Sequence, residues 1–224
     1  MAFSISLAAF HHLTGRVSSP NLSESENIEE RVVDAELQEM LEHYRITKLI
    51  NEYCHGCDRG DGPRMGSVYS DDSWDDHGMY LGDGKAFAVS VMEGRQERGE
   101  AMSHHLGQTL VKIDGDTAGA ETYFIATMAF PDAGEGEEVH HLGGRYVDHL
   151  FRENGQWRIK ERLTVRDWSV GHKVSSDYFR EMDFIPGTTN GSDVSFRALG
   201  VVHSGGFGPR APSPAERRKV AESV

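Results

Sequence analysis

Apolar residues in the first quarter of the chain recur at the three- and four-residue spacing of an α-helix. They fall into two sets: Val32, Val33, Leu37, Met40 and Leu41, followed by Ile46, Leu49, Ile50, Tyr53, Cys54 and Cys57. Ser23 and Glu26 have the spacing of a helix-capping box, which predicts that the helix begins there. Gly60 and Pro63 disfavour helix, so the pattern predicts that it ends near Asp58.

After this helix the patterning becomes strand-like. A short helical turn is predicted at residues 65–69, a strand at 73–81 and a helix at 86–97. From residue 104 apolar and polar residues alternate, which predicts strands at 104–113, 120–130, 139–153 and 157–168. The dipeptide Asn154-Gly155 is typical of a tight hairpin turn. Helices followed by antiparallel strands favour an α+β domain, with the helices on one face of a curved sheet.

The two ends of the chain lack this patterning. The apolar run in residues 1–10 has no basic residues before it, so a flexible arm over residues 1–25 is favoured over a secretory signal. Residues 171–224 are rich in Gly, Ser and Pro and predict an extended tail that packs on the domain or on a neighbouring subunit. The folded domain is therefore expected at residues 26–170.

Composition narrows the function. The net charge of −13 at pH 7 disfavours a nucleic-acid partner, because phosphates repel an acidic surface. No stretch approaches the ~20 apolar residues that span a bilayer, so no membrane partner is expected. Two cysteines among 224 residues do not form a disulfide framework. These features favour a cytoplasmic protein that acts on a small molecule.

Histidine is the one unusual residue count, twelve in all, yet the histidines predict no metal site. The pairs His104-His105 and His140-His141 are adjacent residues on predicted strands, and adjacent strand residues point to opposite faces. Each pair therefore offers one ligand to a given ion. Cys54 and Cys57 form a C-x-x-C pair at the end of a helix, without the second pair that a zinc site needs. No metal or organic cofactor is expected.

Three residues predict acid–base chemistry without a cofactor. Asp58 stands at the predicted helix end, where its side chain can turn into a cavity above the sheet, and His105 lies on a strand near the start of the sheet. A carboxylate that accepts from one imidazole nitrogen fixes the tautomer and leaves the other nitrogen as a general base. Tyr53 is placed to line the same cavity and to donate a proton. The alternative is that all three are ordinary core residues.

Four segments, in this order, resemble motifs of SnoaL-like proteins in the nuclear transport factor 2-like superfamily. The motifs are Y-x-x-x-x-D-x-x-D from Tyr53 to Asp61, H-x-G from His105 to Gly107, G-G-x-Y-x-D from Gly143 to Asp148, and G-x-W-x-I from Gly155 to Ile159. The resemblance spans residues 28–168. It implies a cone-shaped α+β barrel, in which a bent, mostly antiparallel sheet wraps around N-terminal helices and encloses a deep apolar pocket.

Several members of this family are cofactor-independent lyases of the scytalone dehydratase, bile-acid 7α-dehydratase and hexachlorocyclohexane dehydrochlorinase types, which use a His/Asp pair. The resemblance implies that His105 is the base and Asp58 the carboxylate that orients it. Tyr53 and Arg166 match residues of the bile-acid enzyme. Arg162 falls where the dehydrochlorinase has an arginine, and it shares a strand face with Arg166.

The chain departs from the dehydratase pattern at Ala126, where the relative has an acidic residue. The missing proton-transfer role is then either absent or taken by another side chain, with His77, His141 and Tyr123 as candidates. The residues expected to contact substrate are Trp74, His77, Tyr123, His141, Arg162 and Trp168.

The expected function is a lyase, a dehydratase or a formaldehyde-releasing enzyme, that acts on a hydrophobic aromatic or polycyclic molecule. Two alternatives stay open: an isomerase similar to ketosteroid isomerase, and a non-catalytic protein that binds a ligand or resembles the small subunit of ring-hydroxylating dioxygenases. A homo-oligomer, most simply a trimer, is expected because the outer face of a curved sheet needs a cover.

Overall fold

The computed structural model describes residues 22–98, 100–130, 138–174, 184–185, 187–191 and 193–200. The helices are α1 (Leu22–Arg59), α2 (Gly62–Gly66), α3 (Gly84–Arg98) and α4 (Ser195–Gly200). The strands are β1 (Tyr69–Asp76), β2 (Leu81–Gly82), β3 (Ala101–Asp114), β4 (Thr117–Phe130), β5 (Glu138–Glu153) and β6 (Gln156–Lys173). The chain divides into two compact units between Glu42 and His43, and every site described below lies in the second unit.

The two apolar sets near the start of the chain lie on one continuous helix, α1. The first set is exposed, and each of its five side chains is about half exposed or more. The second set is buried in the core, from Ile46 to Cys57. Helix α1 ends where Gly60 adopts a φ of +71°, and a side chain there would collide with the backbone of Thr189. The predicted helix end is confirmed within one residue.

The strands form one six-stranded sheet in the order β2-β1-β6-β5-β4-β3. All neighbouring pairs are antiparallel except β1 and β6, which run parallel. The predicted α+β class with a mostly antiparallel sheet is confirmed. The Asn154-Gly155 turn is also confirmed, since both residues have the positive φ that such hairpin turns require, 52° and 77°.

Two predicted elements between α1 and α3 are wrong in detail. The helical turn expected at residues 65–69 lies earlier, as α2, because Asp61 caps it by accepting from the Arg64 backbone N–H and Pro63 favours its first turn. The strand expected at residues 73–81 is two strands. Gly78, with a φ of +73°, allows the reversal, and the His77 N–H donates to the Tyr80 carbonyl at 2.9 Å.

The hydrophobic core lies between the second half of α1 and one face of the sheet, called the inner face here. Residues of α1, α2 and the strands meet in it and are almost completely buried: Ile46, Ile50, Tyr53, Met65, Tyr69, Tyr146, Leu150 and Ile159. Cys54 and Cys57 are reduced and buried in the same core. The core therefore fixes the end of α1 against the strands that carry the polar residues described below.

A β-bulge in β3 changes which residues face the core. The pairing of β3 with β4 shifts register between Leu106 and Thr109. Before the bulge the even-numbered Met102 and Leu106 pack against the core, and after it the odd-numbered Val111 and Ile113 do. An extra residue in one strand reverses the in–out alternation beyond it.

The described part of the C-terminal tail packs on its own domain. Arg59 Nη1 lies 3.5 Å from the Thr188 carbonyl and 3.7 Å from Asp193 Oδ2. The Phe196 ring meets His55 edge-on, with 5.9 Å between ring centroids. Strand β6 runs to Lys173, beyond the predicted start of the tail. Residues 1–21 of the predicted arm lie outside the described residues.

None of the helices within the described ranges combines the length and the apolar character needed to cross a bilayer.

Candidate active site

A cavity of about 610 Å³ opens between the end of α1, α3 and the inner face of the sheet. Its walls are mainly apolar and include Phe87, Phe124, Phe130 and Leu142. Its polar lining residues are Tyr53, His77, Tyr80, Ser90, Glu100, His104, Tyr146 and Thr164. This size and this ratio of apolar walls to polar anchors are typical of small-molecule sites.

Asp58 and His104 form a hydrogen-bonded pair at one end of the cavity. His104 Nδ1 donates to Asp58 Oδ1 at 2.6 Å, and the His104 backbone N–H donates to Asp58 Oδ2 at 2.9 Å. That backbone group is available because β3 is the edge strand of the sheet. A carboxylate only accepts, so Nδ1 is the donor in this contact, and the neutral form of the ring carries its lone pair on Nε2.

The histidine that meets Asp58 is His104 and not the predicted His105. His105 is exposed on the outer face, where its partner on β4 is Ile125. The prediction followed the H-x-G spacing of the family motif, which His105 and Gly107 match. In the structure His104 shares the inner face with Met102 and Leu106, and alternation along β3 sends His105 to the opposite face. The predicted carboxylate, Asp58, is one member of the observed pair.

A second His–Asp pair lies in the same cavity wall. His77 Nδ1 donates to Asp75 Oδ1 at 2.7 Å, and the Tyr69 hydroxyl donates to Asp75 Oδ2. Thr164 Oγ1 lies 3.0 Å from His77 Nδ1, and the Tyr53 hydroxyl lies 3.4 Å from His77 Nε2. Among the predicted substrate contacts, His77 does line the cavity. Its carboxylate was missed, although Asp75-x-His77 has the two-residue spacing of one strand face.

Two tyrosines separate the two pairs. The Tyr146 ring centroid lies 6.5 Å from that of His104 and 6.2 Å from that of His77. The Tyr53 ring meets Tyr146 edge-on at 5.6 Å. Burial raises the pKa of both phenols well above the ordinary value, so both stay protonated and can donate a hydrogen bond.

Comparison with known proteins identifies the family. The sequence profile of the SnoaL-like domain matches residues 38–163, more than half of the chain. The chain belongs to the SnoaL-like family. No curated protein matches it in sequence.

Solved structures confirm the fold of this SnoaL-like domain. A protein from Novosphingobium aromaticivorans assigned as a scytalone dehydratase is 16% identical, with a TM-score of 0.53 over 62% of this chain and 92% of that one. A type 2 hexachlorocyclohexane dehydrochlorinase is 14% identical, with a TM-score of 0.56 over 67% and 97% of the two chains. The type 3 enzyme from Novosphingobium barchaimii is 15% identical, with a TM-score of 0.55 over 67% and 99%.

Arg162 does not line the cavity of the SnoaL-like domain, contrary to the predicted substrate contact. It is completely buried behind the two tyrosines, where its guanidinium carbon lies 4.2 Å from each ring centroid. Its Nε and Nη2 each donate to Asp148 at 2.7 Å. Burial lowers the Arg162 pKa, but the Asp148 charge, the hydrogen bonds to Asp148 and the neighbouring tyrosines together raise it above the ordinary value. Arg162 therefore holds the tyrosines in place, as a charged pair inside the core.

Four further predicted contacts lie outside the cavity. Trp74, Tyr123 and Trp168 are between 38 and 46% exposed, and His141 hydrogen-bonds Thr127 on the outer face. Trp74, Tyr123 and His141 alternate along their strands with residues that point inward, such as Asp75 beside Trp74 and Phe124 beside Tyr123. Trp168 follows a register shift between β5 and β6, where Arg166 pairs with Gly144 and Trp168 pairs with the adjacent Gly143. The prediction chose these four side chains by type, and strand geometry places them away from the cavity.

Arg166 is also corrected. Its side chain is exposed, and Nη1 donates to Ser169 Oγ at 3.3 Å rather than lining the cavity. Ala126 does line the cavity, so the site has no carboxylate at that position. Glu100 supplies one elsewhere: it is 3% exposed and lines the same cavity. No sequence pattern distinguished Glu100 from the other acidic residues.

Proposed function

We propose that this SnoaL-like protein is a cofactor-independent lyase, of the dehydratase or formaldehyde-releasing type, that acts on a hydrophobic aromatic or polycyclic molecule. The observation that carries the proposal is the pair of His–Asp dyads in one apolar cavity. An elimination needs one group to remove a proton and another to protonate the leaving group, and two histidines of fixed orientation supply both. Two of the structural neighbours are named as dehydrochlorinases, which also perform eliminations.

His104 is the proposed general base. Its Nε2 lone pair takes a proton from a carbon next to a carbonyl or other activating group of the substrate. The Asp58 carboxylate lies 2.6 Å from Nδ1, against the positive charge that forms on the ring. Asp58 accepts hydrogen bonds from both the ring and the backbone N–H of His104. The ring and the carboxylate therefore keep their relative geometry when the positive charge forms.

His77 is the proposed general acid. In its protonated form it gives the Nε2 proton to the departing hydroxyl oxygen, so that a carbon–carbon double bond forms and water leaves. Tyr53 and Thr164 lie beside His77 and offer hydrogen bonds to the same oxygen. In the formaldehyde-releasing variant His104 removes the hydroxyl proton of a hydroxymethyl group, the carbon–carbon bond breaks, and His77 protonates the carbanion.

The substrate class follows from the walls of the cavity. Phe87, Phe124 and Phe130 together with aliphatic side chains cover most of the surface. The volume of about 610 Å³ accommodates a molecule of two or more rings. The polar groups are gathered around the dyads, so the hydroxyl and the activated carbon of the substrate are expected at the tyrosine end.

The test is a product screen by mass spectrometry against hydroxylated and hydroxymethylated ring compounds. A lyase gives a product lighter by one water or one formaldehyde. An isomerase gives a product of unchanged mass, and a binding protein returns the substrate unaltered; either result across the panel contradicts the proposal.

Adjacent histidines provide a matched control for the site. His104→Ala is expected to lower kcat by ~10²–10⁴-fold, the usual contribution of a general base. His105→Ala removes the same side chain on the outer face and is expected to leave kcat within about twofold, the range of an ordinary surface substitution. Equal losses in the two variants contradict the assignment of the base.

The assembly is proposed to be a homo-oligomer, as the family resemblance implies, with three subunits. Support comes from the outer face of the sheet, where Tyr123, Ile125, Trp168 and Val170 are each 38–52% exposed. Apolar side chains gathered on one face favour burial against another copy. Light scattering at micromolar concentration tests this, and a monomer mass contradicts it.

A further inference from the structure

Three metal-binding side chains of different types meet at the His104 end of the cavity. One ligand atom each from Cys57, Asp58 and His104 lies within 4.8 Å of the other two. A second sulfur is adjacent, since Met102 Sδ lies 3.6 Å from Cys57 Sγ. Asp58 and His104 are explained by the proposed chemistry, but Cys57, which lines the same cavity, has no role in it.

The donor set fits a zinc ion. Thiolate sulfur, imidazole nitrogen and carboxylate oxygen are the three ligand types of zinc in proteins, at 2.0–2.3 Å from the metal. Ligand atoms around one tetrahedral ion are then about 3.3–3.7 Å apart. Separations of up to 4.8 Å shorten by about 1.5 Å at most to reach those values, and the 2.6 Å contact between His104 Nδ1 and Asp58 Oδ1 lengthens by about 1 Å.

We propose that Cys57, Asp58 and His104 bind one Zn²⁺ ion and that the bound ion inhibits the lyase. Zinc binding releases the thiol proton of Cys57 to solvent, and the Nδ1 proton of His104 moves to Nε2, so that the neutral ring offers its Nδ1 lone pair to the ion. A neutral imidazole has one lone pair, so a His104 that donates it to zinc cannot accept a substrate proton. The binding part stands on the three side chains alone; the inhibition part rests on the proposed function.

Cobalt(II) tests the binding part without any substrate, because it occupies zinc sites and its absorption spectrum reports its ligands. Titration of the full chain with Co²⁺ is expected to give visible bands of tetrahedral cobalt and a near-ultraviolet sulfur-to-cobalt band. Cys57→Ser is expected to lose the sulfur band. Cys54→Ser is the matched control, since Cys54 is equally buried three residues earlier but does not line the cavity, and it is expected to keep the band.

A second pair of variants keeps the binding test informative if Cys57→Ser does not fold. His104→Gln is expected to weaken cobalt binding by at least about tenfold, and His105→Gln is expected to leave it unchanged. The binding proposal is overturned by cobalt bands without a sulfur component, by a sulfur band that survives in Cys57→Ser, or by equal weakening in the two histidine variants.

Turnover tests the inhibition part once the product screen has supplied a substrate. Zinc is expected to stop turnover of the metal-free enzyme, and EDTA to restore it. Cys57→Ser is expected to need at least about tenfold more zinc for the same inhibition. If cobalt binds as described and zinc leaves turnover unchanged, inhibition is overturned. If no compound turns over, the proposed function fails while the cobalt spectrum still decides the metal site.

Discussion

The two His–Asp pairs are similar in chemistry and different in construction. Asp58 and His104 are 46 residues apart, and their contact depends on how the end of α1 packs against the edge strand β3. Asp75 lies in β1 and His77 follows the end of that strand, so two residues of local backbone bring the pair together. The first pair is a product of tertiary packing and the second of local backbone structure. A change in the core is therefore expected to move the first pair before the second.

The surroundings of His104 and His77 differ in a way that fits their proposed roles as base and acid. The ring neighbours of His104 are Phe124 and Tyr146. His77 stacks on Phe87 at 4.3 Å and has Thr164 and the Tyr53 hydroxyl within hydrogen-bonding reach. An apolar setting suits a base that approaches a C–H bond. Hydroxyl groups suit an acid that meets a leaving oxygen, and this contrast motivates the assignment of base and acid.

The strongest test of the comparison is the double variant His77→Ala/His104→Ala. If the two histidines act in one elimination step, their contributions are not independent. The kcat of the double variant is then expected to be ~10³–10⁴-fold below that of the unmodified protein. It is expected to be no more than about tenfold below that of the slower single variant. Single and double rate constants on one substrate measure this coupling. Losses that simply multiply show that the two pairs act separately.

Substrates with different leaving groups distinguish the proposed acid, His77, from the proposed base, His104. His77→Gln is expected to lower kcat by ~10²-fold for a substrate that expels a hydroxyl group, because that oxygen needs a proton as it departs. For an analogue that expels a halide the loss is expected to be less than about tenfold. His104→Gln is expected to lower kcat by the same factor with both substrates. An equal loss with both leaving groups in His77→Gln contradicts its assignment as the acid.

Asp75 and Asp58 are expected to contribute different amounts to the free energy of unfolding. Asp75 is fully buried and accepts from both Tyr69 and His77, so in Asp75→Asn an amide N–H faces a donor in the core. The expected cost is about 2–3 kcal/mol of unfolding free energy. The Asp58 side chain is 12% exposed, so Asp58→Asn is expected to cost about 1 kcal/mol. Urea denaturation of both variants provides the values, and the reverse order contradicts the contrast between a fully buried carboxylate and a partly exposed one.

Tyr53 provides the smallest expected effect. Tyr53→Phe removes one hydrogen bond beside His77, which is expected to lower kcat by less than about tenfold. Burial raises the Tyr53 pKa, so the phenol stays protonated through the ordinary tyrosine range near pH ~10. The pH profile of kcat is therefore expected to keep its shape in Tyr53→Phe. A loss of the alkaline limb in this variant contradicts a permanently protonated Tyr53.

Much of the fold was predictable because helix and strand periods are strong signals. The end of α1, the four long strands and the Asn154-Gly155 turn follow from residue patterns alone. The first apolar set of α1 also predicted helix correctly, yet its side chains are exposed. Periodicity identifies a helix face and does not identify what covers it. Strand β1 differed because its parallel partner, β6, is far away in sequence.

The site was only partly predictable, and backbone geometry accounts for the errors. Asp58 lies at the end of α1, as the sequence predicted, because a helix end is a sequence signal. His104 was missed because the H-x-G motif matches His105 and Gly107, whereas the histidine that meets Asp58 is the preceding residue. Arg162 has the right face, but its burial depends on Asp148 and two tyrosines that come from other elements. Residue type alone therefore did not determine which side chains reach the cavity.

The bulge in β3 has an evolutionary consequence. One residue inserted there, taken up by shifting the start of β3 back by one position, carries His105 to the place that His104 now occupies opposite Asp58. The doubled histidine therefore tolerates a length change that abolishes the base in a chain with a single histidine. An inserted residue changes which face of a strand each side chain points to. A sequence alignment that ignores this change will match an inward-facing histidine of one relative with an outward-facing histidine of another. Catalytic positions in this fold are better transferred by the carboxylate that each histidine meets than by its column in an alignment.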